Sequence, residues 1–127
     1  MSDIRTINPS AQFPFSHATV YNGIVYVSGQ VGFKPGTTEV VSDDLRDQCR
    51  QTFRSIDAIL AAAGSTKERI IRCGVYLKHI ERDFAAFNEC YAAWLGSHRP
   101  ARSAIEAGFA LPRILVEVDC IASIQTP

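Results

Sequence analysis

Neither sign of charge is in excess in this 127-residue chain, where 13 Lys and Arg residues balance 13 Asp and Glu. A surface without a net field exerts no general pull on nucleic acid or on an anionic membrane. No apolar run approaches the roughly 20 residues that a bilayer-spanning helix needs. The opening Met1-Ser2-Asp3-Ile4-Arg5 lacks the apolar segment of a secretory signal. A cytoplasmic protein is therefore expected. GxSxG nucleophile elbows, GxxxxGKS/T phosphate loops and GxGxxG dinucleotide turns are all missing. The four cysteines, Cys49, Cys73, Cys90 and Cys120, include no CxxC or Cys/His ligand spacing. Each falls within an expected helix or strand, where cysteine behaves as a small buried hydrophobe, so all four read as reduced core thiols. His17, His79 and His98 show no metal-like spacing either and read as surface or turn residues. Nothing in this inventory calls for a metal or a cofactor.

What is present describes one soluble globular domain over residues 1–127. Hydrophobic residues make up 46% and charged residues 20%, enough for a core without disulfide or metal support. A short strand is expected near Ile4–Ile7. Two more, Ala18–Tyr21 and Ile24–Gln30, flank Asn22-Gly23, a dipeptide suited to a tight primed hairpin turn. Ile24-Val25-Tyr26-Val27 is an unbroken apolar run, the mark of a central or doubly covered strand. After a loop containing Pro35-Gly36, a long helix is predicted from a cap at Ser42 or Asp43. Leu45, Cys49, Phe53, Ile56, Leu60 and Ala63 line one stripe of it, and Gly64 stops it. Ile70–Leu77 reads as a strand. A second helix over about Arg82–Leu95 carries the core stripe Phe84, Phe87, Tyr91 and Trp94. Strands at about Ser103–Phe109 and Leu115–Ile124 complete the chain.

Both helices have a single apolar stripe, so the simplest arrangement is one sheet with the helices on one face. The other face would stay bare, although its strands are too apolar for full exposure. A large bare apolar face points to a subunit interface and hence to a homo-oligomer.

Two residues stand out chemically. Arg102 follows the turn Arg99-Pro100-Ala101, and its planar fork of donors suits a carboxylate or phosphate gripped at two points. Glu117 interrupts Val116 and Val118, where a carboxylate is costly unless it has a partner or a task. Spacing alone leaves another reading open, because Asp119 shares the side of Glu117 and both could lie on a wet face. Ser28-Gly29-Gln30 ends an apolar strand at a glycine that permits close backbone approach. Asn88 lies on the second helix beside Phe87.

Taken in order, several segments resemble the reactive intermediate deaminase family (RidA, or YjgF type). They are Pro14-Phe15-Ser16-His17-Ala18, Val25-Tyr26-Val27-Ser28-Gly29-Gln30, Phe87-Asn88-Glu89-Cys90-Tyr91, Arg99-Pro100-Ala101-Arg102-Ser103 and Leu115-Val116-Glu117-Val118-Asp119-Cys120-Ile121-Ala122. The resemblance implies an α+β, chorismate-mutase-like fold, with the last strand central in a single sheet and two helices packed on one face. It also implies a homotrimer with a site in each intersubunit cleft. The implied activity is hydrolysis of 2-imino or enamine acids to 2-keto acids and ammonia, without metal or cofactor. Arg102 would anchor the substrate carboxylate and Glu117 would orient the attacking water. Ser28, Gly29 and Asn88 would line the cleft. Phe15 stands where many members have tyrosine, and Ala104 where many have cysteine, which implies a drier and roomier pocket. Partners would be a small imino or keto acid and further copies of the chain. The alternatives are an aminomuconate-like enamine deaminase of aromatic catabolism, or a non-catalytic member that binds metabolites or a protein.

Overall fold

Asn22 and Gly23 both take positive φ, 51° and 76°. The turn they make joins β2 (Ser16–Tyr21) to β3 (Ile24–Gln30) as an antiparallel hairpin, as the dipeptide predicts. The structure, a computed structural model, describes residues 3–124. Met1, Ser2 and Gln125–Pro127, the two ends of the single domain expected over 1–127, lie outside the described residues. The first strand, β1, spans Arg5–Pro9 rather than Ile4–Ile7, because its pairing with β2 runs on to Pro9 opposite Ser16.

The first helix, α1, covers Leu45–Ala63 and ends at Gly64. Its cap is Asp44, not Ser42 or Asp43. The Asp44 carboxylate accepts from the amides of Arg46 at 2.7 Å and Asp47 at 3.3 Å, two and three residues on, where an N-cap side chain reaches. Ser42 serves the step before, its Oγ accepting from the Asp44 amide at 3.0 Å. After a 3-10 turn at Lys67–Arg69, β4 runs over Ile70–Leu77. The second helix, α2, spans Ile80–Leu95 and starts earlier than its local sequence signals. Its cap comes from far along the chain, since Glu106 Oε1 accepts from the Ile80 amide at 3.1 Å. The strand β5 is Ala101–Glu106 rather than Ser103–Phe109, because its partner β4 ends at Leu77, opposite Glu106. The last strand, β6, covers Val116–Ser123.

All six strands form one mixed sheet in the order β1-β2-β3-β6-β4-β5. The C-terminal strand is therefore inserted between β3 and β4, antiparallel to both, while β5 lies parallel to β4 at the edge. Burial alternates along β6. Val116, Val118, Cys120 and Ala122 are buried, while Glu117, Asp119, Ile121 and Ser123 are half-buried. The buried set meets Val25, Val27, Cys73, Val75 and Leu77 of the neighbouring strands in one core with both helices. All four cysteines are buried and free. Phe53 of α1 stacks on Trp94 of α2 with centroids 4.3 Å apart, and Phe87 and Tyr91 pack around the pair. Phe84 departs from the expected core stripe and is 39% exposed. The sheet face opposite the helices presents Tyr26 and Ile105, 45% and 54% exposed.

Candidate active site

Arg102 enters the sheet one residue after β5 begins. It pairs in register with Cys73, so its side chain rises on the helix-covered face at the free edge of the sheet. There α2 cradles it. Arg102 Nη1 donates to Asn88 Oδ1 at 2.9 Å. The guanidinium carbon lies 4.9 Å from the Tyr91 ring centroid, 5.8 Å from Phe84 and 5.9 Å from Phe87. Stacking on aromatic faces and one fixed hydrogen bond restrict a long side chain without consuming its fork. Nε and Nη2 make no hydrogen bond among the described residues and remain free for an anion. Phe84 owes its exposure to this position at the lip of the cradle. The spacing of 84, 87, 88 and 91 on one helix already placed these residues side by side; that they face an arginine was not legible. The Tyr91 hydroxyl is buried, with the Cys73 thiol beside it and no nitrogen or oxygen partner among the described residues. Burial, then the neighbouring Cys73 thiol, pushes its proton affinity up, so it stays neutral beneath the guanidinium.

Glu117 and Asp119 share the opposite face of the sheet, as alternation requires, but they are held differently. Asp119 leans towards β4, where its Oδ2 accepts from the Tyr76 hydroxyl at 2.9 Å and its Oδ1 from the Gly74 amide at 3.2 Å. Glu117 leans towards β3 and lies over Gly29, where any Cβ would collide with its carboxylate. It accepts no protein hydrogen bond among the described residues. Burial, and secondarily the charge of Asp119, raises its proton affinity above the usual carboxylate range. Of the two carboxylates, Asp119 is tied off and Glu117 is available. The pairing register between Val27 and Gln30 is interrupted beside it, which brings Gly29 out of the regular ladder.

The remaining candidates fall on either side of this division. Ala104 follows Arg102 on the helix-covered face and packs on the core. Ser28 spends its hydroxyl on the Ser16 carbonyl at 2.7 Å, where it clips β3 to β2. Phe15 is 53% exposed and stacks on Phe13 at 5.9 Å between centroids, a partner that sequence spacing had not singled out. Phe13, Phe15, His17, Gly29 and Phe33 together line an open cavity of about 640 Å³. No cluster of three or more His, Cys, Asp or Glu residues placed to hold a metal occurs among the described residues. No helix among them is long and apolar enough to cross a membrane.

Arg102 and Glu117 thus lie on opposite faces of the sheet, on strands separated by β4. Strands two places apart are about 10 Å from each other, and the sheet itself stands between the two side chains. They cannot close on one small molecule within a single chain.

The family model described as Endoribonuclease L-PSP matches residues 6–124. The chain belongs to the RidA (YjgF) family. A RutC family protein of Pyrococcus horikoshii is 39% identical over 109 residues, 86% of each chain. The human 2-iminobutanoate/2-iminopropanoate deaminase is 33% identical over 120 residues, covering 94% of this chain and 85% of its own. Among solved structures, a Rid family protein of unknown function from Yersinia pestis superposes with a TM-score of 0.87 at 36% identity, over 95% of this chain and 99% of the other. The fold of this RidA-family chain, two helices on one face of a single mixed sheet, is the fold of that solved neighbour.

Proposed function

We propose that this RidA-family protein is a cytoplasmic homotrimer that hydrolyses 2-imino and enamine acids of the 2-aminoacrylate and 2-iminobutanoate class to 2-keto acids and ammonia. The observation that carries this reading is the placement of Arg102 and Glu117. Each has free hydrogen-bonding capacity, and each faces away from the other. A second copy packed against the bare face and free edge would bring the Arg102 of one chain to the Glu117 of the next, and would cover Tyr26 and Ile105. The similarity to the human deaminase supports the chemistry.

In that cleft the free Nε and Nη2 of Arg102 hold the substrate carboxylate as a fork. Glu117 holds a water against the protonated imine carbon, which is already electrophilic, so that positioning supplies much of the effect. The water oxygen bonds to carbon, the C=N π pair moves to nitrogen, and one water proton passes to Glu117. Glu117 returns that proton to the amine nitrogen. The C–N bond then breaks with its electron pair leaving on ammonia, an oxygen lone pair closes the keto C=O, and the hydroxyl proton passes to the regenerated Glu117 carboxylate. None of these steps asks for a metal or a cofactor. Balanced charge gives the chain no surplus of cations for a nucleic-acid backbone, so the partners in this reading are the small acid and the chain itself.

The direct test generates imino acids in situ with an amino-acid oxidase and follows imine loss with and without the protein. Faster loss for short aliphatic precursors is the expected result. No acceleration for any small, branched or aromatic precursor overturns the reading.

A further inference from the structure

Two carboxylates and two glycines are interleaved at the centre of the sheet. Glu117 fills the space that Gly29 leaves on β3, and Asp119 fills the space that Gly74 leaves on β4, where a Cβ would stand 2.5 Å from Asp119 Oδ1. Tyr76 completes the group. It is the direct cross-strand partner of Glu117, yet its hydroxyl donates to Asp119. One phenol therefore lies alongside the free carboxylate and holds the other one in place.

We propose that Asp119 and Tyr76 form a positioning pair for Glu117, fixing a negative charge beside it so that Glu117 takes up and returns the water proton. This rests on the reading of Glu117 as the water-holding group. A carboxylate of ordinary basicity is a weak base at neutral pH, and a general base works best when its proton affinity lies nearer the operating pH. A second carboxylate fixed on the same strand face moves it in that direction. Tyr76 and the Gly74 amide both donate to Asp119, which holds its carboxylate in one place on that face.

The other titratable groups on this face are His17 of β2, Tyr26 of β3, which stands opposite Ile121, and Arg72 of β4, which lowers the proton affinity of Tyr76 against the larger raising effect of Asp119. Arg72 of β4 is turned towards β5, donating from Nη2 to Ser103 Oγ at 2.9 Å and from Nη1 to the Cys73 carbonyl at 3.4 Å. His17 of β2 pairs with Asn8. Gln30 of β3 donates to the Ser28 carbonyl. Ser103 and Ile105 of β5 carry no charge. The charges bearing on Glu117 agree with this account: besides burial, Asp119 is the neighbour that raises its proton affinity. Asp119 likewise raises the proton affinity of the Tyr76 hydroxyl, which keeps that donor protonated.

The test is a carbon-13 NMR titration of the side-chain carboxyls in the full-length protein, with the Glu117 signal assigned by its loss in Glu117→Gln. In Asp119→Asn the Glu117 midpoint should fall by about half to one pH unit. In Tyr76→Phe it should fall less and in the same direction, because the released Asp119 carboxylate turns to solvent and its charge is better screened. The acid limb of kcat for imine hydrolysis should move with the midpoint, while affinity for a non-reactive keto acid stays the same. Loss of a strand contact alone would not move that limb. An unchanged Glu117 midpoint in folded Asp119→Asn overturns the proposal. Should that variant fail to fold, an unchanged midpoint in Tyr76→Phe overturns it instead. A shifted midpoint in a protein that hydrolyses no imine upholds the pair and overturns the deaminase reading.

Discussion

Asn88, Tyr91, Phe84 and Phe87, all on one helix, enclose the guanidinium of Arg102, whereas the carboxylate of Glu117 lies over a gap at Gly29 with no side chain among the described residues bonded to it. The first region is built by addition. A helix packs on the sheet and its side chains confine a long, flexible cation. The second is built by omission, since a missing Cβ makes room and the strand sets the direction. A cation on a flexible stem needs walls to lose its rotamer freedom before a ligand arrives. A short carboxylate rooted in a central strand needs only space. The two regions should therefore fail differently, the first through loss of grip and the second through crowding.

Removing the grip should have the largest effect. Arg102→Ala should lower kcat/KM for imine hydrolysis by about two to three orders of magnitude, the scale of a lost charge-assisted pair in a secluded cleft. Arg102→Lys should recover little, since an ammonium lacks the fork. Glu117→Gln should lower kcat while leaving keto-acid affinity near the wild-type value. Mixing and reassembling Arg102→Ala with Glu117→Gln sharpens the comparison. If each site draws its arginine and glutamate from different chains, roughly a quarter of the wild-type activity should return in an equal mixture. If the mixture stays as inactive as its parents, the two regions do not act across chains.

Crowding the second region comes next. Gly29→Ala places a methyl where the Glu117 carboxylate lies and should reduce kcat by about tenfold, with little change in Tm. A turnover equal to wild type would show that the gap is not needed. Smaller again is Asn88→Ala, which frees one side of Arg102. With the aromatic faces still in place, KM should rise several-fold, about 1 kcal/mol for one hydrogen bond, and kcat should change less.

The smallest effect concerns stability. Burial and Asp119 raise the proton affinity of Glu117 in the folded chain. Its ionised form therefore disfavours folding once pH exceeds the unfolded carboxylate value, and the penalty is complete above the raised folded value. Glu117→Gln should raise Tm at neutral pH by on the order of a degree, and the gain should vanish in acid, as thermal unfolding at both pH values will show.

Most of the architecture was legible along the chain. The Asn22-Gly23 turn, the α1 stripe ending at Gly64 and the β6 alternation are local patterns whose period or turn chemistry states their structure. The α1 cap moved by one residue for local reasons, but three other places where expectation moved share one cause, a partner outside the element itself. Glu106 starts α2, Leu77 sets the end of β5, and Pro9 continues β1 because Ser16 faces it. Gln48 is a further case. It is fully buried in α1, and its side chain bonds the Ser42 and Arg113 carbonyls and the Leu115 amide, pinning two loops that no helical stripe announces.

The candidate site divides along the same line. Arg102 and Glu117 could be picked out as residues, because a guanidinium at a turn and a carboxylate among valines are unusual in any fold. Their residue types and the strand period also place Glu117 and Asp119 on one face. Three features depended on the packed chain: the helix that cradles Arg102, the sheet that separates it from Glu117, and the tie that occupies Asp119 while leaving Glu117 free. Each depends on which strand lies beside which. That order is set when β6 inserts between β3 and β4, a long-range pairing for which a local pattern carries no address.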